Sequence, residues 1–178
     1  DPDENIDPKN RNYDFIWKKK IKISYQKAWN NLINSLKIIV REASKKKIKI
    51  CLETEGSIEK KNFLLLQRPI EFDRLYKIFN TKQISINLNV GHLNLSSKVN
   101  KFDKIKFINK ISNKIVAFEL SHNYGKKDDH APLKKDGWYW KVLNNKKFRN
   151  TIKILEYRET DIKLIKKNYK MCADKLIN

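Results

Sequence analysis

The feature that most constrains this sequence is a regular spacing of polar residues, each placed where a short apolar run ends. The four residues are separated by 36, 33 and 34 positions, and they are Glu53, Asn89, His122 and Glu156. A parallel barrel of about 250 residues contains eight strand–helix units, which gives roughly 31 residues per unit. The spacing therefore predicts four consecutive units of an α/β fold of the (β/α)8 barrel type.

The segments between these residues alternate between strand patterns and helical patterns. Apolar residues recur at helical spacing from Tyr25 to about Lys46, and a short β-rich run precedes each polar residue. Strands are predicted at 48–52, 84–90, 115–120 and 151–155, and further helices through 72–79, around 102–111, near 138–143 and at 161–176. This alternation predicts a parallel sheet. A doubly wound sheet is the alternative, but none of the strands is followed by a glycine-rich phosphate-binding loop of either common type.

Length and the opening segment limit the domain organisation. The chain has 178 residues, which is short for a complete barrel. Two Asp-Pro pairs and few apolar residues open the chain, so residues 1–24 are predicted to be an irregular lead-in. Residues 25–178 then form half of a barrel, and its exposed strand edges need cover from a missing N-terminal half or from another chain.

The amino-acid composition limits which binding partners and which cellular location are expected. The net charge of +20 favours an anionic ligand such as phosphate or nucleic acid. The basic residues are mostly lysines spread over every predicted helix, however, which is more typical of a biased composition than of a binding surface. Cys51 and Cys172 belong to no zinc or redox spacing, and no apolar run approaches the roughly 20 residues of a membrane span. A cytoplasmic protein without a membrane segment is therefore predicted.

The histidines are concentrated at one end of the predicted sheet. All three of them, His92, His122 and His130, lie at or just beyond a predicted strand end, and none lies on a predicted helix. In a parallel barrel the carboxyl ends of the strands form the functional face. Asp128 stands two residues before His130, and carboxylate and imidazole ligands together suit zinc, manganese and similar divalent ions. A metal site is predicted there, although a single histidine is more often a surface or core residue.

Two glutamates, Glu53 and Glu156, follow apolar residues at the ends of predicted strands. Their carboxylates are then expected in the partly enclosed opening at the carboxyl ends of the strands. An unpaired charge is costly there, so a metal or another cation has to compensate it. The competing interpretation is a glutamate that caps the following helix or pairs with a lysine. Glu55 and Glu159 replace them as candidates if the register is displaced by two or three residues.

Four blocks of the sequence resemble the xylose isomerase-like barrels, a superfamily that includes sugar phosphate isomerases/epimerases and endonuclease IV-type enzymes. Residues 50–53 (ICLE) resemble the fifth strand of these barrels, and residues 154–156 (ILE) resemble the eighth. Residues 86–92 (INLNVGH) resemble the Asp-x-Gly-His block of the sixth, and residues 122–133 (HNYGKKDDHAPL) resemble the seventh-strand segment that ends in Asp-x-His-x-Pro-Leu. The chain thus resembles roughly strands 5–8, the C-terminal half of such a barrel.

The resemblance implies a ligand set for a divalent metal, which would be Zn, Mn, Co or Mg. The residues that would surround the ion are Glu53, Asn89, His122 and Glu156. Those that would line the adjoining pocket, or hold a second metal in the endonuclease-type branch, are His92, Asp128 and His130.

The resemblance also implies a reaction, with two departures from the family pattern. Glu53 and Glu156 would act as acid and base on opposite faces of a sugar, while the metal polarises its oxygens. Asn89 stands where the family has aspartate, so the first metal loses an anionic ligand. Residues 134–137 (KKDG) replace the usual Gly-x-Gly after Pro-Leu, which weakens the expectation of a phosphate-binding loop.

Three functions follow from these observations, and the first is preferred. It is a divalent-metal-dependent isomerase or epimerase whose partner is a small sugar or sugar phosphate. The second is a phosphodiesterase that acts on abasic DNA, which the basic charge and His92, Asp128 and His130 favour. The third is a catalytically impaired relic of the fold, which Asn89 and the absent half of the barrel favour.

Overall fold

A computed structural model of the chain describes residues 23–57, 64–158 and 160–176. The strands are β1 (Ile50–Glu53), β2 (Ile84–Asn89), β3 (Ile115–Leu120) and β4 (Ile152–Leu155). The helices are α1 (Tyr25–Lys45), α2 (Pro69–Leu75), α3 (Val90–Val99), α4 (Lys104–Ile111), α5 (Tyr139–Leu143) and α6 (Ile162–Leu176), with short 3₁₀ turns at Ser112–Lys114 and Lys146–Phe148. The predicted irregular lead-in lies outside the described residues, except for Ile23 and Ser24.

The four strands form one parallel sheet in the order β1-β2-β3-β4. Each strand is joined to the next by at least one helix, which is the connection that parallel neighbours require. The predicted parallel α/β architecture is therefore confirmed, and each predicted strand is found within two residues of its expected bounds. Among the described helices, none combines the length and the apolar character needed to cross a bilayer.

The first helix shows why the amphipathic segments are predictable. Ser24 caps α1 by accepting a hydrogen bond from the Lys27 N–H, and one face of the helix buries Trp29, Ile33, Leu36 and Val40. These residues join the main core, which lies between the helices and the outer face of the sheet. The Arg74 guanidinium of α2 lies 4.4 Å from the centre of the Trp29 ring, so a cation–π contact closes the edge of this face.

Helix α3 is absent from the sequence-based prediction, which extended β2 through Val90. The strand ends instead at Asn89, and α3 begins at once with Val90. Residues 90–97 are all buried, so this helix lacks a polar face and shows no amphipathic period. A side-chain carbon at Gly91 would lie 2.8 Å from Ser121 Oγ, so the strand-to-helix turn needs glycine at this close approach.

Among the described residues, the inner face of the sheet carries two exposed isoleucines. Ile152 pairs with Ala117 and Ile154 pairs with Glu119, and neighbours in register point to the same face. Because Glu119 faces the functional site described below, the two isoleucines lie on that same inner face, where they are 62 % and 42 % exposed. On the outer face, Phe118 packs edge-on against Phe148 with ring centres 5.1 Å apart.

Candidate functional site

Three glutamates converge at the carboxyl ends of the strands. Glu53 ends β1, Glu119 lies in β3, and Glu156 directly follows β4, where its N–H donates to Leu120 O at 3.2 Å. One carboxylate oxygen from each of the three lies within 4.8 Å of the others. Parallel pairing causes this convergence, because it brings the carboxyl ends of neighbouring strands to the same edge. We call Glu53, Glu119 and Glu156 the three-glutamate cluster.

Asn89 stands at the centre of this cluster and is fully buried. Its side-chain nitrogen Nδ2 lies 3.0 Å from Glu53 Oε1, 3.2 Å from Glu119 Oε2 and 2.9 Å from Glu156 Oε2. Its side-chain oxygen Oδ1 faces away and caps helix α3 by accepting from the His92 N–H at 3.0 Å. Carboxylates accept and the N–H donates, so the surrounding groups fix which end of the amide faces the glutamates.

Two further side chains hold this arrangement. Thr54 is buried, and its hydroxyl accepts from the Asn89 N–H at 3.0 Å, which ties the end of β1 to the end of β2. Asn87, one pleat earlier on β2, donates from Nδ2 to Glu119 Oε1 at 2.6 Å. Glu119 is therefore held by an amide from each of two residues on the neighbouring strand.

A second cluster of His92, Asp128 and His130 lies beside the first, and we call it the histidine–aspartate cluster. Asp128 Oδ2 lies 2.7 Å from His130 Nε2 and 3.5 Å from His92 Nε2. All three residues are buried, and each offers a ligand atom within 4.8 Å of the other two. The two imidazole rings are perpendicular, with centres 5.6 Å apart.

The two clusters contact each other through the imidazoles. His92 Nδ1 lies 3.1 Å from Glu53 Oε1 and 3.0 Å from Thr54 O, and His130 Nδ1 lies 3.3 Å from Glu156 Oε2. The Arg158 guanidinium lies 3.5 Å from Asp128 Oδ2 and donates to Asp128 O at 3.2 Å. A continuous network of acids and bases therefore joins Glu53 to Glu156.

These contacts shift the acidities of both clusters. Burial opposes a charge on His92, but its hydrogen bonds to Asp128 and Glu53 overcome that effect and raise its pKa to about 11. Hydrogen bonds to Asp128 and Glu156 raise the pKa of His130 to about 9. Burial also acts against the charge of Asp128, yet its hydrogen bonds to the two imidazoles lower its pKa.

The pKa values of Glu53 and Glu119 are shifted in opposite directions. Burial disfavours the charge of Glu53, but the hydrogen bond and the charge of His92 outweigh it and lower the pKa of Glu53. Burial and the neighbouring carboxylates raise the pKa of Glu119, although its hydrogen bond from Asn87 opposes the shift. In enzymes that use paired carboxyl groups, different surroundings usually give the groups different pKa values, so that one acts as an acid and another as a base.

The loop that carries Asp128 and His130 is fixed by its backbone. His130 has a φ of 44°, in the left-handed region that residues other than glycine rarely adopt. Next to it, Ala131 exchanges both backbone hydrogen bonds with His122, and His130 O accepts from the Arg158 N–H at 3.0 Å. These bonds hold the strained residue so that its imidazole reaches Asp128.

The structure brings together six of the seven residues that the sequence singled out, and His122 is the exception. Its imidazole lies edge-on against the rings of Tyr124 and Tyr139, with centres 5.0 and 6.2 Å away, and belongs to neither cluster. Burial lowers the pKa of His122, and the charge of Lys134 adds to that shift. His122 serves the site through its backbone bonds to Ala131.

Two further corrections concern neighbouring positions. Glu119 occupies the place expected for His122, three residues earlier, and alternation along β3 could have identified it because it is the one charged residue in that strand. His92 lies in the first turn of α3, although no histidine was predicted on a helix. Of the alternative candidates, Glu55 belongs to neither group, and Glu159 lies outside the described residues.

Comparison with known proteins places this chain in a family. The model of the xylose isomerase-like TIM barrel family matches residues 13–174. The chain belongs to this family. The crystal structure of a D-tagatose 3-epimerase-like protein is similar to it at 21 % sequence identity and a TM-score of 0.69, over 83 % of this chain and 54 % of that one. The chain thus spans about half the length of this structural relative. A search of curated proteins found no match.

Xylose isomerase-like barrels generally bind divalent metals, and the two clusters suit an ion to different degrees. The histidine–aspartate cluster has two imidazoles and a carboxylate, which is a donor set suited to zinc and similar ions. Asp128 Oδ1 is buried without a hydrogen-bond partner among the described residues, so an acceptor atom is available there. The three-glutamate cluster offers carboxylates, but Asn89 turns its N–H donors rather than its oxygen toward them.

Proposed function

We propose that this protein is a divalent-metal-dependent isomerase or epimerase of sugars or sugar phosphates, with Glu53 and Glu156 as the acid–base pair. The observation that carries the proposal is that two strand-end carboxylates converge, each in contact with a different imidazole. Membership of the xylose isomerase-like family supports the reaction class. The structural relative, a D-tagatose 3-epimerase-like protein, supports a ketose as the first substrate to test.

The chemistry requires removal of a proton from a carbon next to a carbonyl and delivery of a proton to the same or the neighbouring carbon. Glu53 is suited to be the base, because its lowered pKa keeps it ionised at neutral pH. Glu156 would carry a proton of its own and deliver it to the opposite face, which leaves Glu53 protonated and Glu156 ionised, and the contact with His130 orients its carboxyl group. A bound divalent ion, held by His92, Asp128 and His130, would polarise a substrate oxygen.

A direct test is exchange of substrate hydrogen with solvent. The native protein is incubated in deuterated buffer with manganese, cobalt, zinc or magnesium and with a panel of ketoses and ketose phosphates that includes tagatose. We expect deuterium to enter a carbon next to the carbonyl of at least one sugar, as seen by NMR. If no member of the panel gains deuterium, the proton transfer proposed for Glu53 and Glu156 is ruled out for those sugars.

We propose further that β1–β4 correspond to strands 5–8 of the barrel and that further strands, from the same protein or another chain, cover the inner face. The exposed isoleucines Ile152 and Ile154 on that face support this. Ile154→Lys should then destabilise the native protein by about 1–3 kcal/mol, because the charge would be buried in the completed barrel. Ile162→Lys, on an exposed position of α6, is the matched control. Equal urea midpoints for both variants would show that the face is open to solvent.

A second candidate function has a specific observation in its favour, namely the assembled histidine–aspartate cluster. In that case the protein would be a metal-dependent phosphodiesterase on abasic DNA, and its charge of +20 would assist binding of the phosphate backbone. The test is cleavage of a duplex with one abasic site, with binding measured at low and high salt. An intact duplex and binding that does not depend on salt would remove this candidate.

We also propose a cytoplasmic location. Both cysteines are free, and Cys51 is exposed, as suits a reducing compartment. Fractionation of cells that express the native protein, with detection by an antibody, would test the location.

A further inference from the structure

We propose that the side-chain amide of Asn89 takes the place of a cation at the centre of the three-glutamate cluster, so that this cluster binds no divalent ion in the native protein. The amide nitrogen is within 3.2 Å of one oxygen from each glutamate, which is the position a shared ion would compete for. An amide nitrogen donates hydrogen bonds and is no ligand for a metal ion.

The opposite orientation of the amide is disfavoured by its surroundings. Turning Asn89 Oδ1 toward the glutamates would set a buried oxygen against three carboxylates. It would also set the amide N–H₂ against the His92 N–H, which now donates to Oδ1 at 3.0 Å and caps α3. An ion at the three glutamates would therefore have to remove a helix cap and displace three hydrogen bonds.

In the part of the chain that the structure describes, the neighbouring cluster has no amide at its centre, although each of its imidazoles contacts a carboxylate through both ring nitrogens. His92, Asp128 and His130 present their ligand atoms within 4.8 Å of one another, and all three are buried. Asp128 is 2 % exposed, and its Oδ1 has no hydrogen-bond partner among the described residues. An ion there could use this oxygen, and each histidine that binds the ion would give up a proton and one of its contacts with a carboxylate. The two clusters thus differ in whether a protein group already occupies the centre.

The proposal predicts what restores an ion to the three glutamates. Asn89→Asp keeps an oxygen to cap α3, so the fold is preserved, and it exchanges the donor for an anionic ligand. Asn89→Ser also keeps a capping oxygen and removes the amide donor, but it adds no charge. In both variants the centre of the three-glutamate cluster should become available to an ion, and the aspartate variant should bind an ion more tightly than the serine variant.

The experiment counts bound ions and does not depend on turnover, so it is independent of the proposed reaction. The native protein is stripped with a chelator, and then titrated with Zn²⁺ in a calorimeter and with Mn²⁺ by electron paramagnetic resonance. The variants are Asn89→Asp, Asn89→Ser, Glu119→Gln, His130→Gln and the double variant Asn89→Asp with Glu119→Gln. Circular dichroism establishes that each one is folded.

We expect the wild type to bind one Zn²⁺, which His130→Gln abolishes and Glu119→Gln leaves unchanged. Asn89→Asp should add a second ion, with Mn²⁺ affinity raised about tenfold or more, and the double variant should lose it. Asn89→Ser should give a smaller gain in Mn²⁺ affinity. If the aspartate variant does not fold, the serine variant is the test of the proposal. The proposal is overturned if Glu119→Gln abolishes an ion bound by the wild type, or if neither variant at position 89 gains an ion. A wild type that binds no Zn²⁺ would instead contradict the metal site given under the proposed function.

Discussion

The two clusters lie side by side at the same end of the sheet, yet they differ in donor chemistry and in burial. The three-glutamate cluster has only oxygen atoms, and the side chains of Glu53 and Glu156 remain 34 % and 41 % exposed. In the histidine–aspartate cluster, imidazoles surround an Asp128 side chain that is 2 % exposed. Open carboxylates can reach a substrate, whereas enclosed groups hold one another. Substitutions of Glu53 and Glu156 should therefore act mainly on activity, whereas substitutions in the second cluster should lower stability as well as metal binding.

The largest expected effect is on activity in the three-glutamate cluster. Glu53→Gln and Glu156→Gln should each lower the rate of solvent deuterium exchange by about 10²- to 10⁴-fold, because an amide cannot transfer the proton. Glu55→Gln is the matched control, since Glu55 belongs to neither cluster, and should keep most of the activity. Equal losses in all three variants would show that the effect does not arise from proton transfer at the two strand ends.

A large loss of stability is expected at the centre of the histidine–aspartate cluster. Asp128→Asn in the metal-free protein should lower the free energy of unfolding by about 3 kcal/mol, because it leaves His92, His130 and Arg158 without their shared anion. Urea unfolding measures this change. Asp136→Asn, at an exposed position, should stay within about 0.5 kcal/mol of wild type. Similar midpoints for the two variants would contradict the difference in burial.

The stability of the protein should fall as the pH rises, because the pKa values of two imidazoles are raised in the folded state. His130 has its pKa raised from 6.5 to about 9, so its stabilisation is complete below about 6.5 and is lost as the pH rises through 9. His92 extends the loss toward pH 11. The metal-free protein should be about 1–2 kcal/mol less stable at pH 9.5 than at pH 6, after allowance for solvent screening.

His130→Gln supplies the control for this pH dependence. It should remove much of the loss between pH 6 and pH 9.5, because the group that titrates there is gone. Asp128 acts in the opposite direction, since its lowered pKa makes its contribution disappear as the pH falls below its usual range. A wild-type urea midpoint that does not change from pH 6 to pH 9.5 would count against a charged His130.

The smallest expected effect concerns the rim of the histidine–aspartate cluster. The Arg158 side chain is 34 % exposed and lies 3.5 Å from Asp128 Oδ2, so Arg158→Met should cost about 0.5–1 kcal/mol of stability. Lys127→Met removes a more exposed partner, 3.8 Å from Asp129, and should have almost no effect. Differences in urea midpoint at neutral pH test both. A loss from Arg158→Met as large as that from Asp128→Asn would place the centre of the network at the arginine.

Much of the fold and part of the site could be predicted from the sequence. The helix at Tyr25–Lys45 and the strand at Ile115–Leu120 follow from apolar periodicity, which depends on local spacing alone. Helix α3 could not be found in this way, because its residues 90–97 are all buried and show no alternation of apolar and polar faces. The spacing of strand-end residues points to His122 and does not single out Glu119, because a polar residue after an apolar run marks a strand end but not the face to which each side chain points.

The sequence by itself determined the alternation of strands and helices, the parallel sheet and the presence of acidic and imidazole side chains at its carboxyl end. These follow from residue spacing, since a period of about two or 3.6 residues decides which element forms. Tertiary structure decided that Glu119 joins Glu53 and Glu156, and that Asn89 turns its nitrogen toward all three. Both depend on the register between strands and on the capping of α3, which are contacts between distant residues that spacing along the chain does not encode.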